Sequence, residues 1–178
     1  YDWVSSPWEG PFRRAGLQAL DLQAGESALE LGPGTGHGLV ALARAAGPSG
    51  LVCSLDLSPG MLAVATRRLR GEGVVAQLLA GDAACLPFAK ESFQAIFASF
   101  VIELFEDREM PLLLSGCRAV LRPGGRLCAV SLSANGRSLL MRRLYQKAQR
   151  RFPRLIDCHP IHLAQAMEQA GFEVRSVI

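Results

Sequence analysis

The chain has 178 residues, 49% apolar and 20% charged, which is enough for one domain with a buried core and too hydrophobic for a disordered chain. No uninterrupted apolar run approaches the ~18 residues of a membrane-spanning helix. The formal net charge of +3 is unevenly placed: residues 135–155 carry seven basic side chains and no acid, and the remaining 12 basic and 16 acidic residues leave the rest at −4. A mildly acidic body with one basic segment is not the footprint of a nucleic-acid-binding domain, so no nucleic-acid partner is expected.

The five cysteines are odd in number and no two follow a C-x-x-C spacing. That points to neither a disulfide framework nor a zinc site, and it fits a reducing cytoplasm. Cys53 and Cys128 lie in apolar runs and are expected as small core residues.

In chain order, Phe12–Leu22 predicts an N-terminal helix. Ser27–Leu31 reads as a buried strand ending in a glycine-rich turn, and Gly38–Ala46 as the helix after it, closed by Gly47-Pro48. Leu51–Leu55 predicts a second strand. Ser58 then supplies an N-cap and Pro59 a first-turn proline for a helix with Leu62, Ala65 and Leu69 on one face. Val74–Leu79 and Phe93–Ser99 predict a third and a fourth strand. Asp107 can cap a helix that runs to about Leu121, with Pro111 tolerated in its first turn. Arg122-Pro123-Gly124-Gly125 stops it, and Arg126–Leu132 predicts a fifth strand. Helices are expected over Ser138–Arg151 and Pro160–Ala170, the second ended by Gly171. Phe172–Ile178 predicts a sixth strand. The expected fold is α/β, a doubly wound and mainly parallel sheet truncated at the C-terminal strand. Ligands in such sheets sit outside the carboxyl ends of the strands, at the switch point.

The first strand ends in Glu30-Leu31-Gly32-Pro33-Gly34-Thr35-Gly36-His37-Gly38. Alternate glycines let a backbone approach a ligand closely and let the next helix start tightly, with its N–H groups free to meet an anion. The dinucleotide pattern G-x-G-x-x-G fits neither register, since it places His37 or Leu39 at the third glycine. The phosphate loop is absent too, because no lysine follows. Asp56 ends the second strand 20 residues after Gly36, where a carboxylate can accept both hydroxyls of a ribose or simply cap the following helix. Gly81-Asp82-Ala83 ends the third strand, where an acid and nearby backbone groups can hold an adenine amine or only form a turn. Three carboxylates around a loop that lacks Lys and Arg would repel a pyrophosphate. They suit a ligand with ribose hydroxyls, an adenine amine, an ammonium and a sulfonium, which describes S-adenosylmethionine.

These segments, together with Leu86-Pro87-Phe88 and Leu121-Arg122-Pro123-Gly124-Gly125-Arg126, resemble class I S-adenosylmethionine-dependent methyltransferases, most closely the ubiquinone/menaquinone biosynthesis group. The resemblance implies that Gly32, Gly34 and Gly36 line the methionine part of the cofactor, with Glu30 holding the loop or the ammonium. It implies a ribose role for Asp56, adenine contacts for Leu57, Met61, Asp82 and Ala83, and a place near the methionine moiety for Ser99 and Phe100. Tyr1-Asp2 resembles the N-terminal pair of this group, whose tyrosine closes over the cofactor. The chain departs from the family pattern at Gln94, where an Asp is common, and at Val101-Ile102-Glu103-Leu104, where a His-rich segment is common. The resemblance also implies one methyltransferase domain over residues 1–178, with an N-terminal cap over 1–24, a cofactor-binding core over 25–133 and a substrate-side segment over 134–178.

Methyl transfer from a sulfonium needs a protein base only if the acceptor must lose a proton. Glu103, after the fourth strand, is the candidate catalytic residue, against its reading as a first-turn helix acid. His159 and His162 flank Pro160 and read as capping or surface residues, and His37 as a loop residue near the cofactor. Trp3 and Trp8 form a substrate lid or an N-terminal staple. The expected reaction is methyl transfer to a small lipophilic acceptor such as a quinol-like ring. The alternatives are a phospholipid N-methyltransferase and a cofactor-binding domain without activity. No metal is expected. Met141, Leu144, Tyr145, Ala148 and Phe152 share one helical face beside a basic one, so residues 137–154 are either a helix packed on the sheet or a peripheral contact with an anionic membrane.

Overall fold

The computed structural model describes residues 2–106, 108–131 and 162–177, with side chains from Glu9 onward. The elements run α1 (Asp2–Leu20), β1 (Ser27–Leu31), α2 (His37–Ala46), β2 (Leu51–Asp56), α3 (Pro59–Gly71), β3 (Gln77–Ala80), β4 (Phe93–Ser99), a 3-10 turn (Ile102–Leu104), α4 (Met110–Val120), β5 (Leu121–Val130) and α5 (Leu163–Gln169). The strands form one sheet in the order β3-β2-β1-β4-β5, and every pairing is parallel. The order reverses between β1 and β4, so the switch point opens above the carboxyl ends of those two strands.

The central strands β1, β2 and β4 bury both of their faces, as parallel strands covered by helices must, whereas β3 at the sheet edge is mostly exposed. On one side Ala28, Val52 and Phe97 pack with Leu20 of α1, Leu39 and Leu42 of α2, and Ala65 and Leu69 of α3. On the other, Leu29, Leu55, Phe93 and Ile96 pack with Leu113, Leu114 and Cys117 of α4, and Leu163 and Met167 of α5 lean on that core. The predicted face Leu62, Ala65 and Leu69 is the buried face of α3. Cys53 and Cys117 are buried free thiols, and burial pushes the Cys117 thiol up to about 12. Among the described residues no helix is long and apolar enough to cross a membrane.

Several boundaries differ from the predicted ones for local reasons. The N-terminal helix begins at Asp2 rather than Phe12, carrying through Pro7 and Pro11. It ends at Leu20, because Asp21 turns into the left-handed region at φ 48°. Predicted strand residues Val74–Ala76 lie outside β3: the Val74 N–H closes the end of α3 on the Leu69 carbonyl, and pairing with β2 starts only at Gln77. The α4 helix starts at Met110 with Glu109 at the cap position, not at the predicted Asp107, which lies outside the described residues. Glu109 reaches back to accept the Glu106 N–H at 3.1 Å. Strand β5 opens at Leu121, but Arg122–Gly125 bulge out between the Phe93–Leu121 and Ala95–Arg126 pairs, so its continuous ladder begins at the predicted Arg126. The predicted sixth strand is corrected: Phe172–Val177 has no ladder partner among the described residues, and a strand without a partner leaves its backbone groups to solvent. Residues 132–161, with the predicted helix Ser138–Arg151, lie outside the described residues.

Arg126 fastens the entry of β1 to β5. Its guanidinium makes a two-point pair with Glu26, at 2.9 Å to Oε1 and 2.6 Å to Oε2, and also donates to the carbonyls of Leu20 and Asp21. Arg126→Ala is therefore expected to cost about 1–2 kcal/mol of stability in this partly solvated setting. The hydrogen bond from Arg126 holds the Glu26 carboxyl below its ordinary range. A depressed carboxyl stabilises the fold above its unfolded value, and the gain is lost as pH falls through the folded one. Thermal melts across acid pH should show a weaker pH dependence in Arg126→Ala than in the wild type.

Candidate active site

The loop between β1 and α2 is held in a tight, non-helical path. Gly32, Gly34 and Gly36 all have positive φ, at 60°, 53° and 85°. Gly32 and Gly36 are hemmed in by their surroundings, whereas Gly34 is not. A Cβ on Gly36 would lie 3.0 Å from Ala65 Cα of α3, so no side chain fits there. Gly34 faces open space, with nothing within 4 Å of a Cβ position, and its left-handed backbone is what favours glycine. The Gly32 N–H extends the sheet by one bond to the Leu55 carbonyl at 2.9 Å.

Glu30 sits beneath this loop and is only 2% exposed. A Cβ on Gly38 would collide with its Oε1, so the glycine at the start of α2 makes room for the carboxyl head. Glu30 Oε2 has no hydrogen-bond partner among the described residues. Burial pushes the carboxyl up to about 8, partly offset by the charge of Arg13 on α1. A buried acceptor in this state is poised for a cationic or hydrogen-bonding guest.

Asp56 joins three elements. It ends β2, accepts the Ser58 N–H on Oδ1 at 2.8 Å, and accepts the Gly34 N–H of the glycine loop. Burial raises its pKa and these two donors work against the rise. The cap of α3 is Ser58, as predicted, whose Oγ accepts the Met61 N–H at 3.3 Å, so Asp56 is not the capping residue. Leu57 beside it is 76% exposed and Met61 is half-buried. The Gly81 N–H donates to the Asp56 carbonyl at 3.0 Å, which sets the end of β3 next to that of β2. Asp82 is exposed and accepts the Ala84 N–H at 2.9 Å in a local turn, while half-buried Ala83 packs on the core.

At the end of β4 the Ser99 hydroxyl is buried without a hydrogen-bond partner among the described residues. Phe100 follows at φ 55°, a left-handed conformation rare for an aromatic residue, with its N–H on the Val130 carbonyl at 2.7 Å. That turn carries Val101 against the glycine loop, where its Cγ2 lies 2.7 Å from a Cβ position on Gly32. Glu103 follows in the 3-10 turn and is fully buried, unlike an ordinary first-turn helix acid. The ends of β1, β2 and β4 thus gather Glu30, the three glycines, Asp56 and Ser99 around the switch point. Tyr1 and His159 lie outside the described residues, as do the side chains of Trp3 and Trp8. His162 is exposed at the start of α5 and makes no capping bond, so of its two predicted readings it takes that of a surface residue. Among the described residues no three potential metal ligands cluster.

Nothing in the sequence singles out Arg68, which α3 presents to the loop: its Nε donates to the Thr35 carbonyl at 2.6 Å. Its spacing is that of its exposed neighbours Arg67 and Arg70, so only the fold distinguishes it.

Residues 28–125, more than half of the chain, match the family described as a methyltransferase domain. The chain belongs to that family. Among curated relatives of this methyltransferase domain, the demethylmenaquinone methyltransferase of Lactobacillus johnsonii is 33% identical over 126 residues, covering 70% of this chain and 51% of the relative. The ubiquinone/menaquinone biosynthesis C-methyltransferase of Pasteurella multocida is 32% identical over 124 residues, covering 68% and 46%. The chain thus spans about half the length of the curated relatives it matches. A solved structure described as a putative methyltransferase from Bacillus halodurans shares the fold with a TM-score of 0.77 at 24% identity, over 92% of this chain and 70% of that one. The fold and the relatives are those of the class I S-adenosylmethionine-dependent methyltransferases.

Proposed function

We propose that this methyltransferase domain binds S-adenosylmethionine at the switch point and transfers its methyl group to a small lipophilic acceptor, a quinol-like ring. The observation that carries the reading is the acid-lined loop: a buried Glu30 oxygen without a hydrogen-bond partner among the described residues lies under three left-handed glycines, with Asp56 tied to the same loop. The donor set fits the cofactor, because carboxylates accept from an ammonium and from ribose hydroxyls and no Lys or Arg lies within the loop. In this reading Glu30 meets the ammonium or holds the loop, and Gly32, Gly34 and Gly36 admit the methionine chain. Asp56 accepts the ribose hydroxyls. Leu57, Met61, Asp82 and Ala83 flank the adenine, Ser99 offers its spare hydroxyl to the methionine end, and Tyr1 closes over the bound molecule. When bound, the cofactor supplies an activated methyl on a sulfonium. The protein then contributes position and exclusion of water. Glu103, buried after β4 where the acceptor would enter, is the candidate base should the acceptor have to lose a proton.

The demethylmenaquinone and ubiquinone/menaquinone methyltransferases among the relatives support a ring acceptor. Incubation with methyl-labelled S-adenosylmethionine and a demethylated quinol should give a labelled ring product. Label appearing only in phospholipid headgroups, or in nothing, would replace this acceptor with one of the two alternatives. A bilayer-borne acceptor gives the basic segment 137–154 a purpose, that of docking the domain on anionic lipid. The protein should then sediment with anionic but not neutral liposomes, and less so as salt rises. Equal sedimentation with both, or with neither, would exclude it.

A further inference from the structure

We propose that Arg68 is a positioning residue that presets the glycine loop for the cofactor, a role that rests on the reading above. The peptide joining Thr35 to Gly36 is committed on both edges. Its carbonyl accepts from Arg68 Nε at 2.6 Å, and its N–H donates to the Pro33 carbonyl at 2.8 Å. Gly36 then turns at φ 85° into the first residue of α2. The same α3 helix grips the loop at two further points. Its entry is linked through Asp56, which accepts both Ser58 N–H and Gly34 N–H, and Ala65 backs directly onto Gly36. Arg68 adds a further point of this grip, one turn beyond Ala65 on the same helix.

Three glycines give this loop extra backbone freedom, which must be surrendered when a ligand orders it. A hydrogen bond that orders the loop beforehand moves the cost from binding to folding. Because the bond is charge-assisted and half-buried, its loss is felt more than that of an exposed pair. Arg68 touches the loop from α3 and acts through it, so it is a positioning and not a catalytic residue.

The test uses S-adenosylhomocysteine titrated into the full chain, with hydrogen exchange of the loop amides in the ligand-free protein. Arg68→Gln should bind roughly 5- to 30-fold more weakly, and amides 34–38 should exchange faster while β1, β2 and β4 keep their protection. Arg68→Lys, which keeps a charged donor but not the planar guanidinium, should fall between. Arg67→Gln, one residue away on an exposed position, should match the wild type. A merely structural role would lower the melting temperature of Arg68→Gln and leave affinity and loop exchange unchanged, and that result would overturn the proposal. Asp56→Ala separates the two levels. Wild-type affinity in Arg68→Gln beside weakened binding in Asp56→Ala removes Arg68 from the account and leaves the cofactor site standing. Wild-type affinity in both removes the site, and the proposal with it. Should Arg68→Gln not fold, Arg68→Lys carries the same comparison: loop exchange equal to that of the wild type would overturn the proposal.

Discussion

Asp56→Ala is expected to weaken S-adenosylmethionine binding by roughly 1–3 kcal/mol, about 5- to 150-fold in dissociation constant. The loss has two sources. In the proposed binding mode the ribose hydroxyls lose their acceptor, and the Gly34 N–H loses the carboxylate that holds its part of the loop. Asp56→Asn distinguishes binding from folding. Burial raises the Asp56 pKa, so its charge is a cost to the ligand-free fold, one that is absent below the unfolded value and grows as pH rises through the folded one. The neutral variant should therefore melt at or slightly above the wild-type temperature at neutral pH while binding more weakly. A residue that mattered only for structure would lose both together.

Glu30→Gln should show the same opposition more strongly, and with a pH signature. The carboxyl titrates near pH 8 in the ligand-free chain because it is buried. Its contribution to stability is complete below the unfolded carboxyl value and is lost as pH rises through about 8. At alkaline pH, Glu30→Gln is accordingly expected to be more stable than the wild type, on the order of 1–3 kcal/mol, because a buried charge only partly offset by Arg13 is removed. Cofactor binding runs the other way. An ammonium guest needs the carboxylate, so below about pH 8 binding must expel a proton from Glu30. Above roughly pH 8 the amine of the guest itself begins to lose its proton. Wild-type affinity should thus peak near pH 8 and decline on both sides. The variant should bind more weakly at the peak and lack the acid-side decline. Calorimetry in buffers of different ionisation enthalpy reads the released proton directly. An unchanged acid limb in Glu30→Gln would remove the ammonium role and leave Glu30 as a support for the loop.

Much of the scaffold could be read from residue patterns. The runs Ser27–Leu31, Leu51–Asp56 and Phe93–Ser99 read as strands because short, largely apolar runs lie between turn residues, and Ser58-Pro59 opens a helix because one caps and the other needs no donor. Legibility faded where tertiary contacts set the outcome. Val74–Ala76 have strand character but lie beyond the ladder with β2, and Phe172–Val177 has the composition of a strand and no partner among the described residues. Prolines 7 and 11 look like helix stops, yet α1 runs through both, since Leu20 and Gly16 anchor the helix against the sheet. Within the site, the glycines and Asp56 announce themselves by spacing and by position at strand ends. The left-handed turn at Phe100, the burial of Glu103 and the reach of Arg68 to Thr35 do not. Each of these depends on which side of a helix or turn meets the loop, and no local residue pattern encodes that.

In the proposed function the acid-lined loop at the switch point holds S-adenosylmethionine and not a dinucleotide. Isothermal titration of the chain with S-adenosylmethionine and, separately, with NAD tests it most directly. The carboxylates at Glu30 and Asp56, and the loss of the third dinucleotide glycine at His37 or Leu39, predict micromolar binding of the first ligand and no heat from the second. Binding of NAD, or silence from both ligands, would contradict the account.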